Sequence, residues 1–274
     1  MSLLTLTPVD AASLPSPASP DYSHYRDRVT QAALALVASL RPPQGSPTSP
    51  PWTRRRVYHA SKGCPTETYS TQSPDHPPSG TGNCDGLRWH ARTSTHRGRP
   101  SFAHFEAGLL HNHSENEARY IDSCYEAKRL AVIHEGQLEV WQTKYTSPFP
   151  ASGRDFVFAL LTLSLPPRPS PSPSSSSGSA RPLRSFLVVS IPVSHPDADD
   201  VKGSVRGRYV SVEEVREEDD GSIRWTMAVS SSAGGSLPRF ITERAMPSKI
   251  SEDFPSFLEW VVSDEGPHVE AGAV

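Results

Sequence analysis

An α+β domain, in which a curved antiparallel sheet packs around a long C-terminal helix, is the fold class this sequence predicts. Three observations predict it. Six stretches rich in Val, Ile, Leu, Phe, Tyr and Trp follow one another between residues 129 and 230. Helical stripes lie before this run and after it, in the order helix, strand, helical pair, about six antiparallel strands, long C-terminal helix. Proline- and serine-rich stretches that cannot bury a core fall between the elements and leave roughly 200 residues for one core.

In chain order, residues 1–24 are expected to be a disordered tail, because Pro8, Pro15, Pro17 and Pro20 break any helix there. From Tyr25 to Leu40, Val29, Ala32, Ala33, Leu36, Val37 and Leu40 form one apolar stripe at helical spacing, stopped by Pro42 and Pro43. Insertions are expected at about 42–51, 61–86 and 166–183 within a single domain spanning 25–265, with 266–274 as a closing tail. The last insertion centres on Pro166 to Pro182, where six Pro and seven Ser exclude a ladder strand.

A short strand over 87–96 leads into a helical pair. Phe102, Phe105, Leu109 and Leu110 give the first helix its apolar side, and Ser114 with Glu117 is a candidate capping box for the second. Strands are then expected at 129–134, 138–145, 155–165, 185–193, 206–216 and 222–230. Ile223, Trp225, Met227 and Val229 alternate with polar residues, and Asp219-Asp220-Gly221 supplies the preceding hairpin turn. Phe186-Leu187-Val188-Val189 is apolar on both faces, as a doubly covered strand must be. Ile250, Phe254, Phe257, Leu258, Val261 and Val262 make the broad stripe of the closing helix, which Pro255 is expected to kink.

Composition narrows function by exclusion. The net charge is −3, and the only basic run is Arg54-Arg55-Arg56, which without interleaved aromatics marks a solvated loop or strand edge and not a nucleic-acid site. Cys64, Cys84 and Cys124 form no C-x-x-C pair and fit a reducing, cytoplasmic setting. The N-terminus lacks the basic start of a signal peptide, and no apolar stretch approaches the ~20 residues that span a bilayer. His90, His96, His104, His111 and His113 cluster in sequence, but no pair has i, i+4 ligand spacing, so neither metal nor cofactor is expected. Glu213, Glu214, Glu217, Glu218, Asp219 and Asp220 are expected as a solvated hairpin tip.

Particular residues add a resemblance. Pro148-Phe149-Pro150-Ala151-Ser152-Gly153-Arg154-Asp155-Phe156-Val157 resembles the proline-then-Arg-Asp-Phe signature of START domains. With Trp89, Arg92, Ser94 and His96, Phe105 with Gly108-Leu109, His113-Ser114 with Glu117, and Ser232 to Ser236 with Pro238, the chain is similar to a fungal START-like family of unknown function over about 87–263. The resemblance implies a START-like helix-grip fold and a lipid-sized cavity under the C-terminal helix. Where several START proteins carry a second cavity arginine, six residues after the signature one, this chain has Leu160, which implies a more apolar ligand.

Alternate strand residues and the helix stripe then make the candidate cavity wall. It comprises Trp89, Arg92, Ser94, His96, Phe149, Arg154, Leu160, Trp225, Met227, Phe254, Phe257, Leu258 and Val261. Arg154 and Asp155 are neighbours on a strand and cannot both line it, so a structural role for the pair is the default. The expected function is non-catalytic binding or transfer of a lipid or other hydrophobic small molecule, with transient membrane contact. Two alternatives stand beside it. One is polyketide cyclase/aromatase-like chemistry, for which His96, Arg92 and Tyr145 are the acid–base candidates. The other is a ligand-independent interaction domain whose proline-rich stretches recruit SH3- or WW-type partners.

Overall fold

The fold comes from a computed structural model, which describes residues 3–40, 52–59, 64–71, 88–147, 152–169, 182–232, 234–235 and 239–269, with backbone alone over 239–243. The proline-rich run 42–51, residues 72–87 of the second expected insertion, residues 170–181 of the third, and Phe149 lie outside the described residues.

Nine strands form an open antiparallel sheet in the order β2 (Trp52–Tyr58), β3 (Thr66–Thr71), β4 (His90–His96), β11 (Ile223–Ser232), β10 (Arg208–Glu217), β8 (Ser185–Ser194), β7 (Gly153–Ser164), β6 (Leu138–Tyr145), β5 (Cys124–His134). Two short strands add in parallel: β1 (Val9–Asp10) on β8 and β9 (Ser204–Arg206) on β7. Helix α1 (Asp21–Ser39) packs on one face, here the outer face; α2 (Phe102–Phe105), α3 (His113–Tyr120) and α4 (Arg239–Trp260) cover the inner face. The strands run together and the long helix closes the chain, as the pattern of the sequence required. No helix among the described residues is long and apolar enough to cross a membrane.

The side-chain period of two divides every central strand between two cores. On β8, Phe186 and Val188 join the inner cluster while Leu187, Val189 and Ile191 join the outer one. Nine of its ten residues are buried, which is why the segment is apolar on both faces. The β10–β11 hairpin pairs Val212 with Ala228 and Val215 with Trp225, and its turn uses Gly221 at φ +77°, a conformation a side chain would strain.

Several boundaries differ from expectation for identifiable reasons. Residues 3–20 are no free tail: Leu4 and Ala11 are buried in the outer core, and Val9 pairs with Val193. Proline forbids helix there but not an extended segment laid against a sheet. Helix α1 starts four residues early, at Asp21, whose carboxylate suits the N-terminal dipole. Strand β3 occupies part of the 61–86 insertion; its Thr/Ser-rich TETYST hides a strand because Thr66, Thr68, Ser70 and Thr71 bury small polar groups. Arg54, Arg55 and Arg56 lie exposed on edge strand β2, Arg54 paired with Glu67.

The helical pair differs too. Phe102–Phe105 runs on as a π-helical turn, Glu106–Leu110. Helix α3 begins one residue before the expected cap: Asn112 takes the left-handed conformation, φ 51°, which Asn tolerates, and Ser114 is fully buried. Glu117 pairs with His113 instead of capping. Helix α4 is the largest departure, running eleven residues further toward the N-terminus than the Ile250 start of the stripe. Pro247 and Pro255 both sit inside it, so the residue type that marks a helix end elsewhere conceals its first half.

Candidate functional site

The inner face is not filled along its whole length. Toward its β4 end, α4 seats tightly through Phe254, Phe257, Trp260 and Val261, which pack with Phe105, Tyr120 and Trp225. Phe257 comes so close to the π-helical turn that a Cβ on Gly108 would stand 2.7 Å from its ring, so only glycine admits this approach. Further along, α4 and the sheet leave between them a space of about 450 Å³, beside which Met246 of the helix still meets Ser231 of β11 at 3.5 Å. A space of similar size, about 470 Å³, lies on the outer face beside Leu40 and Arg168, next to residues that are not described. The inner space is bordered by residues of β4, β7, β10, β11, α3 and α4.

Its apolar wall consists of Phe156, Trp225, Met227, Val229, Met246 and Ile250. Its polar wall is richer than a purely greasy hollow would require. Tyr145, Tyr209, Ser190 and Ser211 line one stretch; Arg92, His113, Glu117, Glu213 and Asp253 gather at another. Arg92 is 4% exposed, and its guanidinium carbon lies 3.8 Å from the Trp225 ring centre and 5.6 Å from that of Phe254. Stacking of this kind contributes about 0.5–2 kcal/mol. The Trp225 indole N–H donates to Glu213 Oε2 at 2.8 Å, and Arg92 Nη2 is 3.9 Å from the same oxygen. Burial lowers the Arg92 pKa, opposed by the Glu213 charge.

His113 Nδ1 donates to the Leu109 carbonyl at 2.8 Å, which aims Nε2 at Glu117 Oε1, 3.5 Å away. Burial works against a charged imidazole here, but the Glu117 carboxylate outweighs it and pushes the pKa up to about 9. Asp253 reaches solvent at the cavity mouth yet is hemmed in by protein; desolvation and Glu117 push its carboxyl up to about 6. Burial holds the Tyr120, Tyr145 and Tyr209 phenols well above their usual range.

The structure sorts the expected wall residues into three groups. Arg92, Arg154, Trp225 and Met227 do line the cavity. Ser94, His96, Leu160, Phe254, Phe257, Leu258 and Val261 are buried but stand off its wall. Of these, Leu160 and the four helix residues belong to the inner core, because the stripe found from Ile250 onward is the half of α4 that seats tightly on the sheet. Trp89 is on the outer face, in the core beneath α1. As acid–base candidates, Arg92 and Tyr145 border the space, whereas His96 is enclosed by Phe105 and Phe254 and bonded to Ser94 at 2.9 Å. Burial and the Arg92 charge lower its pKa to about 4. Asp155, on the face opposite Arg154, accepts from Gln142 and Arg206 at 2.8 and 2.5 Å and ties β6, β7 and β9 together.

The missed wall residues had readable signals. Glu213 shares strand parity with Tyr209, Ser211 and Val215, so it faces inward and is 6% exposed, not part of a solvated tip. Glu214 and Glu217 are buried as well, Glu217 accepting from Arg184 at 3.0 Å; the tip proper is Glu218 to Ser222. His113 and Glu117 are four apart, one helical turn, which aligns them on one face.

Comparisons with known proteins agree with this architecture. The family described as "Protein of unknown function (DUF3074)" matches residues 89–261. An uncharacterized protein of Schizosaccharomyces pombe is 23% identical over 263 residues, 94% of this chain and 93% of that protein. Among solved structures, human StAR-related lipid transfer protein 5 superposes with a TM-score of 0.60 at 13% identity, covering 86% of this chain and 96% of the other. Human STARD10 gives 0.56 at 13% identity, with 89% and 82% covered. A STAR-related lipid transfer protein from Xanthomonas axonopodis gives 0.52 at 14% identity, with 78% and 99% covered. At such identities the likeness establishes the START helix-grip fold.

Proposed function

We propose that this chain, which belongs to the DUF3074 family, binds one lipid or other hydrophobic small molecule between the inner sheet face and α4, as a carrier or sensor and without chemical turnover. The single observation that carries the reading is the space of about 450 Å³ between the sheet and the same helix that seals the core two turns later. Its volume falls within the range of small-molecule sites. Burying roughly 400 Å² of apolar ligand surface against Phe156, Trp225, Met227 and Ile250 would contribute about 10 kcal/mol before ordering costs. The lipid-transfer names of the structural relatives support the same ligand class. We place the activity in the cytoplasm, with brief membrane contact for loading.

Organic extraction of the purified full chain, followed by mass spectrometry, tests this. One apolar molecule per chain is the expected result. A protein that emerges empty and takes up no apolar ligand on incubation would overturn it.

A further inference from the structure

Arg92 lies in the cavity wall with an unusual deficit. Its Nε and Nη1 have no hydrogen-bond partner, although the residue is 4% exposed. A guanidinium has five N–H donors and no acceptor, so burying it with most of them unanswered is costly. Its faces are occupied by Trp225 and Phe254, and Glu213 Oε2, which accepts from the Trp225 indole, stays at 3.9 Å. Nε and Nη1 are sealed from the space, and a hydrocarbon end packed here would deprive Nη2, the remaining guanidinium nitrogen, of an acceptor as well.

Charge is not what the site lacks. Glu213 and Asp253 both act on Arg92, and Glu117 shares the wall. A carboxylate or phosphate brought to Arg92 would therefore face Glu213 and Asp253 as like charges, Glu117 being paired with His113. What the pocket lacks is an acceptor atom in contact, and what it offers beside the cation is carboxylate oxygens able to receive a proton donor. Deepening the ligand-binding reading above, on which this rests, we infer that the ligand's polar end is a neutral group that both accepts and donates, a hydroxyl or an amide, seated between Arg92 and Glu213. Its oxygen accepts from Nη2 of Arg92, the guanidinium nitrogen nearest Glu213, and its own O–H or N–H donates to Glu213. Ligand orientation follows: polar end at β4 and β10, chain along Met227, Val229 and Met246.

The test uses the full chain at pH 7.5 with hexadecane, 1-hexadecanol or palmitate, each delivered from cyclodextrin. Bound ligand is counted by gas chromatography after gel filtration. Hexadecanol should bind about tenfold or more tighter than either of the other two, the value of a charge-assisted hydrogen bond in a dry site. Arg92→Met should bring hexadecanol to within about threefold of hexadecane, an order of magnitude weaker than wild type. Because that change leaves Glu213 buried beside an apolar side chain, the double variant Arg92→Met, Glu213→Gln is measured too, with circular dichroism confirming its fold; it should show the same loss. Palmitate binding as tightly as hexadecanol, or an alcohol preference that survives in the double variant, overturns the inference. Equal retention of all three overturns it while leaving the carrier reading intact; retention of none, hexadecane included, overturns both.

Discussion

The two faces of one sheet lead to different interiors. On the outer face, Val29, Ala33 and Val37 of α1 share one core with Val210, Val212 and Ala228, joined by the rings of Tyr22, Trp52 and Trp89. On the inner face, aromatic rings from α2, α3 and α4 crowd one end, while a charged and hydroxylated space is left at the other. The strands are the same; only residue parity differs. The outer core therefore supplies stability that is independent of any ligand, and the inner face can leave room unfilled without unfolding the domain.

That contrast can be broken most severely at α4. Leu258→Asp places a charge in the tightly seated part of the inner core and should cost about 4 kcal/mol or more, seen as a large fall in melting temperature together with lost ligand uptake. A normal melting temperature would show that this half of the helix does not hold the domain closed. Leu187→Ala, on the outer face of the same sheet, should cost about 2–5 kcal/mol, yet the folded fraction should take up ligand as the wild type does. Loss of uptake there would mean that the two faces are coupled.

A pH series sharpens the comparison. The folded pKa of His113 is about 9, above the unfolded value of 6.5, so its contribution is fully present below pH 6.5 and disappears as pH rises through 9. Wild type should lose about 2–3 kcal/mol over that interval by urea denaturation, and His113→Asn should lose less. Parallel curves would remove the His113–Glu117 pair from the account.

How much of this was legible depended on which forces leave a trace in sequence. The β10–β11 hairpin was readable because its alternation follows a period of two, and β8 because burial on both faces leaves a continuous apolar run. The filled half of α4 was readable from its stripe. Its cavity half was not, since Ala245, Met246 and Lys249 lie against a space and carry no uniform polarity, and Pro247 mimics a stop. Strand β3 escaped because its buried positions are Thr and Ser, satisfied by local hydrogen bonds such as Thr68 to the Arg56 backbone. Glu213 was obscured by its acidic neighbours, although parity placed it inward. The expectation of a more apolar ligand, drawn from Leu160, took in the signature strand alone, whereas the polar groups of the wall come from β4, β10 and α3.

The claim that the inner space exists to hold a ligand is tested most directly by filling it. Ser211 lies on the cavity wall and is 5% exposed; Ser211→Phe would place a ring into space already present, so stability should change by less than about 1 kcal/mol. The measurement is ligand per chain, by native mass spectrometry, for wild type and variant side by side. One molecule on the wild type and none on a variant that melts normally is the predicted result. Equal occupancy of both would contradict the account.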